Sequence, residues 1–152
     1  MRPRAGDLFA IRPDELGYLF GRIIDPDTKI GGFRDGGVIL IYVYEPVFKT
    51  MDPPPAGALS RQQLLIPPLG INRLPWSRGY FHTVERRALA PEDVLPRHVF
   101  HDTIGRMDRY VDEHGNLVES AEPAGLWGLH SFRTVDDEIS DALALPPVPF
   151  DD

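Results

Sequence analysis

The apolar positions at the start of the chain fall in short runs separated by turn chemistry. "GDLFAI" (6–11) alternates loosely and is bounded by glycine and proline, which predicts a strand. "RPDELG" (12–17) reads as a turn: Pro13 fixes φ and Gly17 accepts a positive φ. "YLFGRII" (18–24) is the return strand, and Gly21 in its middle predicts a bulge or a close backbone approach. "VILIYVYE" (38–45) is β-branched and aromatic with almost no polar face, as expected of a central strand covered on both sides. Together these runs predict the opening meander of a small, strongly bent sheet or barrel.

Further along, "TMDPPPAGA" (50–58) is a loop, and "SRQQLLI" reads as a short helix or, preferably, a strand, which Pro67-Pro68 stops. A second strong strand is expected from Gly79 to Arg86, with Tyr80, His82, Val84 and Arg86 on one face and Phe81, Thr83 and Glu85 on the other. A short strand is expected near 97–101. "RYVDEHGNLVES" (109–120) predicts a hairpin with His114-Gly115-Asn116 at its turn. "TVDDEISDALAL" (134–145) has helical spacing, with Val135, Ile139 and Ala142/Leu143 on one stripe and Pro146-Pro147 as the stop. Thr134 is the expected cap, with Asp137 at the capping-box position and Asp136, Asp137 and Glu138 beside the positive end of the helix dipole. In "GLWGL", Trp127 with Leu126 and Leu129 is expected to pack beneath this helix. The predicted fold class is α+β, mostly β. It is a bent antiparallel sheet, barrel-like in the N-terminal half if it closes, with a C-terminal helix near 134–145. The 152 residues suit one domain, 1–152.

Composition narrows the function classes. Sixteen prolines, about twice the average usage, favour short elements and shaped loops over a helical bundle. The absence of cysteine removes disulfides, thiolate zinc sites and cysteine nucleophiles. No signal-peptide pattern opens the chain, and the apolar run at 38–44 is too short to span a bilayer, so a soluble protein with no membrane association is expected. The net charge of −7 is unevenly spread. Residues 1–89 carry 12 basic and 9 acidic side chains, whereas residues 90–152 carry 4 basic and 14 acidic ones. An acidic half repels phosphate backbones and attracts cationic partners, so no nucleic-acid partner is expected.

The chemistry-bearing motifs are few. "RHVFHD" offers His98, His101 and Asp102 as metal ligands, but on a strand positions 98 and 101 point to opposite faces. With His82 these residues would form a small metal-assisted hydrolase site. "DRYVDEHGN" superficially resembles a calcium loop, and Arg109 through Val111 spoil its first turn. There is no Gly-x-Ser-x-Gly elbow, and "GGFRDGG" lacks the Lys-Ser/Thr of a phosphate loop.

The ordered series "GDLFAI", "YLFGRII", "PPLGINRLPWSRGYF", "EDVLPRHVFHD", "RYVDEHGN" and "EPAGLWGLHSFRTVDDEISDAL" resembles the immunity protein 26 family over about residues 5–145. A Gly-Asp start and an aromatic-x-x-Gly-Arg second strand are features of that family. The resemblance implies a mostly β or α+β immunity protein of a bacterial polymorphic toxin system. Such a protein is made beside a toxin gene, stays in the cytoplasm and neutralises the toxin by binding it. Part of the family is associated by name with organophosphate hydrolysis, but no catalytic residue and no cofactor carries over. Nuclease toxins carry basic grooves, which carboxylates complement. The expected partner-binding set is therefore Asp108, Asp112, Glu113, Asp136, Asp137 and Asp141, facing a cognate toxin with a basic surface. The alternatives are the hydrolase built on His98, His101 and Asp102, and a general protein-interaction module.

Overall fold

A computed structural model describes residues 2–14, 17–55, 57–104 and 108–143. Among the described residues, nine strands, two α-helices and one 3₁₀ turn (Pro91–Asp93) follow in chain order. The strands are β1 (Asp7–Asp14), β2 (Gly17–Thr28), β3 (Val38–Tyr44), β4 (Leu64–Ile71), β5 (Phe81–Arg86), β6 (Val99–Asp102), β7 (Arg109–Val111), β8 (Ala124–Leu126) and β9 (Leu129–His130). The helices are α1 (Leu74–Ser77) and α2 (Phe132–Leu143). Six strands form one sheet in the order β5-β1-β2-β3-β4-β9, and three form a second in the order β7-β6-β8. The larger sheet is antiparallel except for the β4–β9 pair, and it ends on β5 and β9 without closing into a barrel.

The central strand explains the layering. All seven residues of β3 are buried, as its unbroken apolar run predicts. Ile39, Ile41 and Val43 join a core with Phe9, Trp76 and Phe81 and with Val135 and Ile139 of α2. Val38, Leu40, Tyr42 and Tyr44 join the opposite core, with Phe100 and Val111 of the second sheet. The helix therefore covers one face of the larger sheet, and the small sheet covers the other.

Four expectations need correction. Pro67-Pro68 does not stop a strand; β4 runs through it to Ile71. The register jumps there, from Leu69 opposite Ile41 to Ile66 opposite Val43, and this irregularity accommodates two residues that cannot donate to the ladder. Strand β5 starts at Phe81 because Gly79 (φ 79°) and Tyr80 close the α1 turn, donating to the carbonyls of Trp76 and Pro75. Helix α2 starts at Phe132, two residues before the predicted cap, and Val135 N–H donates to the Ser131 carbonyl. Thr134 thus lies inside the helix, and the first turn holds no acidic residue. The predicted helix end at 144–145 and its proline stop lie outside the described residues.

Trp127 gives the fourth correction. It packs in the core under the small sheet, its ring 6.1 Å from that of Phe100, and not beneath α2. The large sheet separates the two. The indole against the helix-side core is Trp76, whose ring lies 5.0 Å from Phe9 and 5.1 Å from Phe81. Leu126 and Leu129 are exposed.

Candidate functional site

The residues that carry the family resemblance are structural. Gly6 sits at φ 92°, where an added Cβ would lie 2.2 Å from the Arg87 carbonyl oxygen. An added Cβ at Gly21 would lie 2.4 Å from the Phe9 ring, the close approach expected at that position. Arg22 is buried on the opposite side of β2. It donates to the carbonyls of Arg87 (2.8 Å) and Ala88 (3.1 Å) and pairs with Asp93 at 3.3 Å. Asp93 in turn accepts from Ala90 N–H at 2.8 Å. Arg22 also holds the Tyr44 hydroxyl, which burial nonetheless pushes up to about 12. The Gly-Arg pair thus pins the 87–93 segment to the sheet.

Strand β6 separates its two histidines, as strand alternation requires. His98 is buried and lies 2.6 Å from the Tyr42 hydroxyl through Nε2 and 2.8 Å from Glu113 through Nδ1. The Tyr42 oxygen also accepts Leu95 N–H at 2.9 Å. Nδ1–H donates to Glu113, and Nε2 bonds the Tyr42 hydroxyl. Burial pushes Tyr42 upward in pKa. Burial also pushes Glu113 upward, but the hydrogen bond and charge of His98 outweigh it and leave Glu113 below its usual value. This carboxylate–imidazole–phenol relay ties the 112–116 turn to the centre of the sheet. Sequence spacing gave no signal for it, because its members are 56 and 15 residues apart.

His101 instead stacks on Tyr110 (4.6 Å between ring centres, 11° between planes) and pairs with Asp108. Asp102 pairs with Arg109 at 2.9 Å. The Ile104 backbone N–H and then Arg109 hold its carboxyl below the usual range. His98, His101 and Asp102 are thus committed to separate partners and do not converge. His82 lies on β5, the far edge of the other sheet. Among the described residues, no group of three or more histidine or carboxylate side chains is arranged to hold a metal ion.

The six expected partner-facing carboxylates divide between two layers. Asp108, Asp112 and Glu113 belong to the β7 region; Asp136, Asp137 and Asp141 belong to α2. Asp112 shapes its turn, accepting from the N–H groups of His114 and Asn116 at 2.9 Å each. Burial raises its pKa, and those donors more than reverse the effect. Glu113 is occupied by His98, while the Asp108 side chain is 80% exposed. On α2 the buried positions Val135, Asp136, Ile139 and Ser140, with Phe132 and Leu143 at the two ends, follow the i, i+3, i+4, i+7, i+8, i+11 pattern of one helix face. Asp136 falls within that stripe. It is buried, its Oδ2 has no hydrogen-bond partner, and burial followed by the Asp137 charge raises its pKa. Asp137 and Asp141 lie on the outer face. At the start of the helix Phe132 stacks on Tyr80 at 4.0 Å, and Tyr80 remains 41% exposed.

A cleft of about 450 Å³ opens on the small-sheet side. Lys29, Phe33 and Arg34 from the β2–β3 loop line it, with Arg109 and His114 from the β7 hairpin and Trp127. The loop "GGFRDGG" carried no recognised motif, and its neighbours are distant in sequence.

No helix among the described residues is long and apolar enough to cross a membrane. No curated protein and no solved structure matches the chain. A family model described as Immunity protein 26 matches residues 4–109. That span holds β1 to β6 and the Gly6, Gly21 and Arg22 positions whose packing builds the larger sheet. The chain, matched over more than two thirds of its length, belongs to the immunity protein 26 family.

Proposed function

We propose that this chain is a cytoplasmic immunity protein, acting as one domain, that neutralises a cognate bacterial toxin by binding it and covering a basic active site with carboxylates. Family membership carries the reading, since the family implies a toxin as partner in general. The outer face of α2 is its best-supported surface. On the side of α2 away from its apolar stripe Asp141 is exposed and Asp137 half-buried, and the exposed Tyr80 ring beside the helix start supplies an aromatic anchor. Asp108 is a separate exposed carboxylate on the other layer. Of the remaining expected residues, Asp112 and Glu113 hold the 112–116 turn, and Asp136 is buried in the inner stripe of α2. Carboxylates steer encounter with a basic groove and match its potential.

The test is co-expression with the neighbouring toxin gene. Cells carrying both genes survive if the reading holds. Death at the same rate with and without this protein contradicts it. The protein does its work without turnover in this account, so substoichiometric protection would point to catalysis instead.

A further inference from the structure

We infer that the cleft between the β2–β3 loop and the β7 hairpin binds a small planar ligand carrying a phosphate group, of the nucleoside monophosphate class. The chain is acidic overall, at −7, yet cations gather here. Lys29, Arg34, Arg109 and His114 all line one volume of about 450 Å³. Arg109 is compensated by Asp102 at 2.9 Å, and the His114 imidazole lies 3.6 Å from Glu113. Lys29 and Arg34 are exposed and have no ion-pair partner among the described residues. Two uncompensated cations match a phosphate dianion better than a single carboxylate, and a guanidinium fork suits phosphate oxygens.

The same cleft offers two aromatic walls. Phe33 is 46% exposed on a soluble surface, a cost that a ligand-facing role explains. Trp127 is half-buried and anchored against Phe100, so its ring is held in place. Its far edge passes Gly115, at φ 87°, where an added Cβ would lie 3.8 Å from the indole. Gly32 has open space where a side chain would stand. Backbone bonding ties the β2–β3 loop to the β7 hairpin, since Lys29 N–H donates to the Glu113 carbonyl at 3.1 Å. A planar ring flanked by aromatic side chains and a phosphate held by basic ones is the recognition this lining provides. The volume lies in the range of small-molecule sites. The acidic remainder of the surface repels a polyanion, which favours a mononucleotide over a nucleic acid. The cleft lies on the small-sheet side, away from the α2 face, so this inference stands apart from the toxin reading.

Calorimetric titration of the intact protein with AMP, GMP, CMP and UMP tests it. Inorganic phosphate, adenosine, a short oligothymidylate and an Asp-Phe-Asp peptide serve as comparators, with indole fluorescence as a second signal. The expected result is saturable binding of at least one mononucleotide below about 1 mM, with quenching of Trp127. Phosphate and adenosine bind more weakly, and Lys29→Ala and Arg34→Ala each weaken the mononucleotide by about tenfold. Absence of mononucleotide saturation in that range overturns the inference. So does unchanged affinity in the Lys29→Ala/Arg34→Ala double variant. Tighter binding of the peptide or the oligothymidylate than of every mononucleotide overturns it as well, and assigns the cleft to a protein segment or to nucleic acid.

Discussion

Gly21 lies directly against the ring of Phe9, with no room between them for a methyl group. Phe9 is itself stacked on Phe81 at 4.7 Å and meets Trp76 edge-on at 5.0 Å. The residue opposite Phe9 in the β1–β2 register is this same Gly21. Replacing it with alanine forces the ring out of an aromatic cluster that also supports α2. Gly21→Ala is expected to destabilise the fold by about 1–3 kcal/mol, the usual cost of overpacking. Chemical denaturation of the variant against the parent chain checks this.

The Tyr42–His98–Glu113 relay straps the 112–116 turn to the sheet. Tyr42 is fully buried, and none of the three lines the cleft beside Trp127. Tyr42→Phe and Glu113→Ala should each cost about 1–3 kcal/mol, because each leaves a buried imidazole nitrogen unpaired. The double variant should cost less than the sum of the singles, and a thermodynamic cycle measures that coupling.

Three carboxylates make the protein sensitive to acid. Asp102, Asp112 and Glu113 are all held below their ordinary values of 3.8, 3.8 and 4.5 by hydrogen bonds in the folded state. Their stabilisation is complete above those values and is lost as pH falls through the lower folded-state values. Unfolding free energy should therefore drop steeply below about pH 4.5, and urea titrations across pH 3–7 read it directly.

Asp136 works in the opposite direction. Its pKa is raised, so folding disfavours its charged form. That cost is absent below the unfolded value of 3.8, grows as pH rises, and is complete above the folded-state value. Asp136→Asn should stabilise the protein by roughly 1 kcal/mol at neutral pH and have little effect near pH 3. Stability curves of the two chains should converge at the acid end.

Much of the fold was legible because its strongest signals are local. The run 38–44 has no polar face, and β3 is covered on both sides. Gly21 breaks an apolar strand, and it is a close-approach site. The misreadings have a common cause: long-range packing overrode a local rule. Pro67-Pro68 looked like a stop, but an irregular register absorbs it. Trp127 is near α2 in sequence and on the other side of the sheet in space. Thr134 looked like a cap, although the helical spacing continues back to Phe132 and places Asp136 in the buried stripe. The six carboxylates formed one group only as a composition; the topology divides them between two layers. The relay and the cleft were not legible at all, since each joins residues from segments that the fold alone brings together.

The outer face of α2 carries the central claim, that the chain neutralises a toxin by presenting carboxylates to it. The most direct measurement is the dissociation constant between purified protein and the toxin encoded beside it, for the parent chain and for Asp137→Lys/Asp141→Lys. Both substitutions are on the outer face of the helix, so stability should change by no more than about 0.5 kcal/mol. The account predicts a stoichiometric complex that weakens as salt rises, and at least about tenfold weaker binding by the double variant. Absence of a complex with the parent chain would contradict toxin binding itself, and an unchanged dissociation constant in the variant would contradict the role of this acidic face.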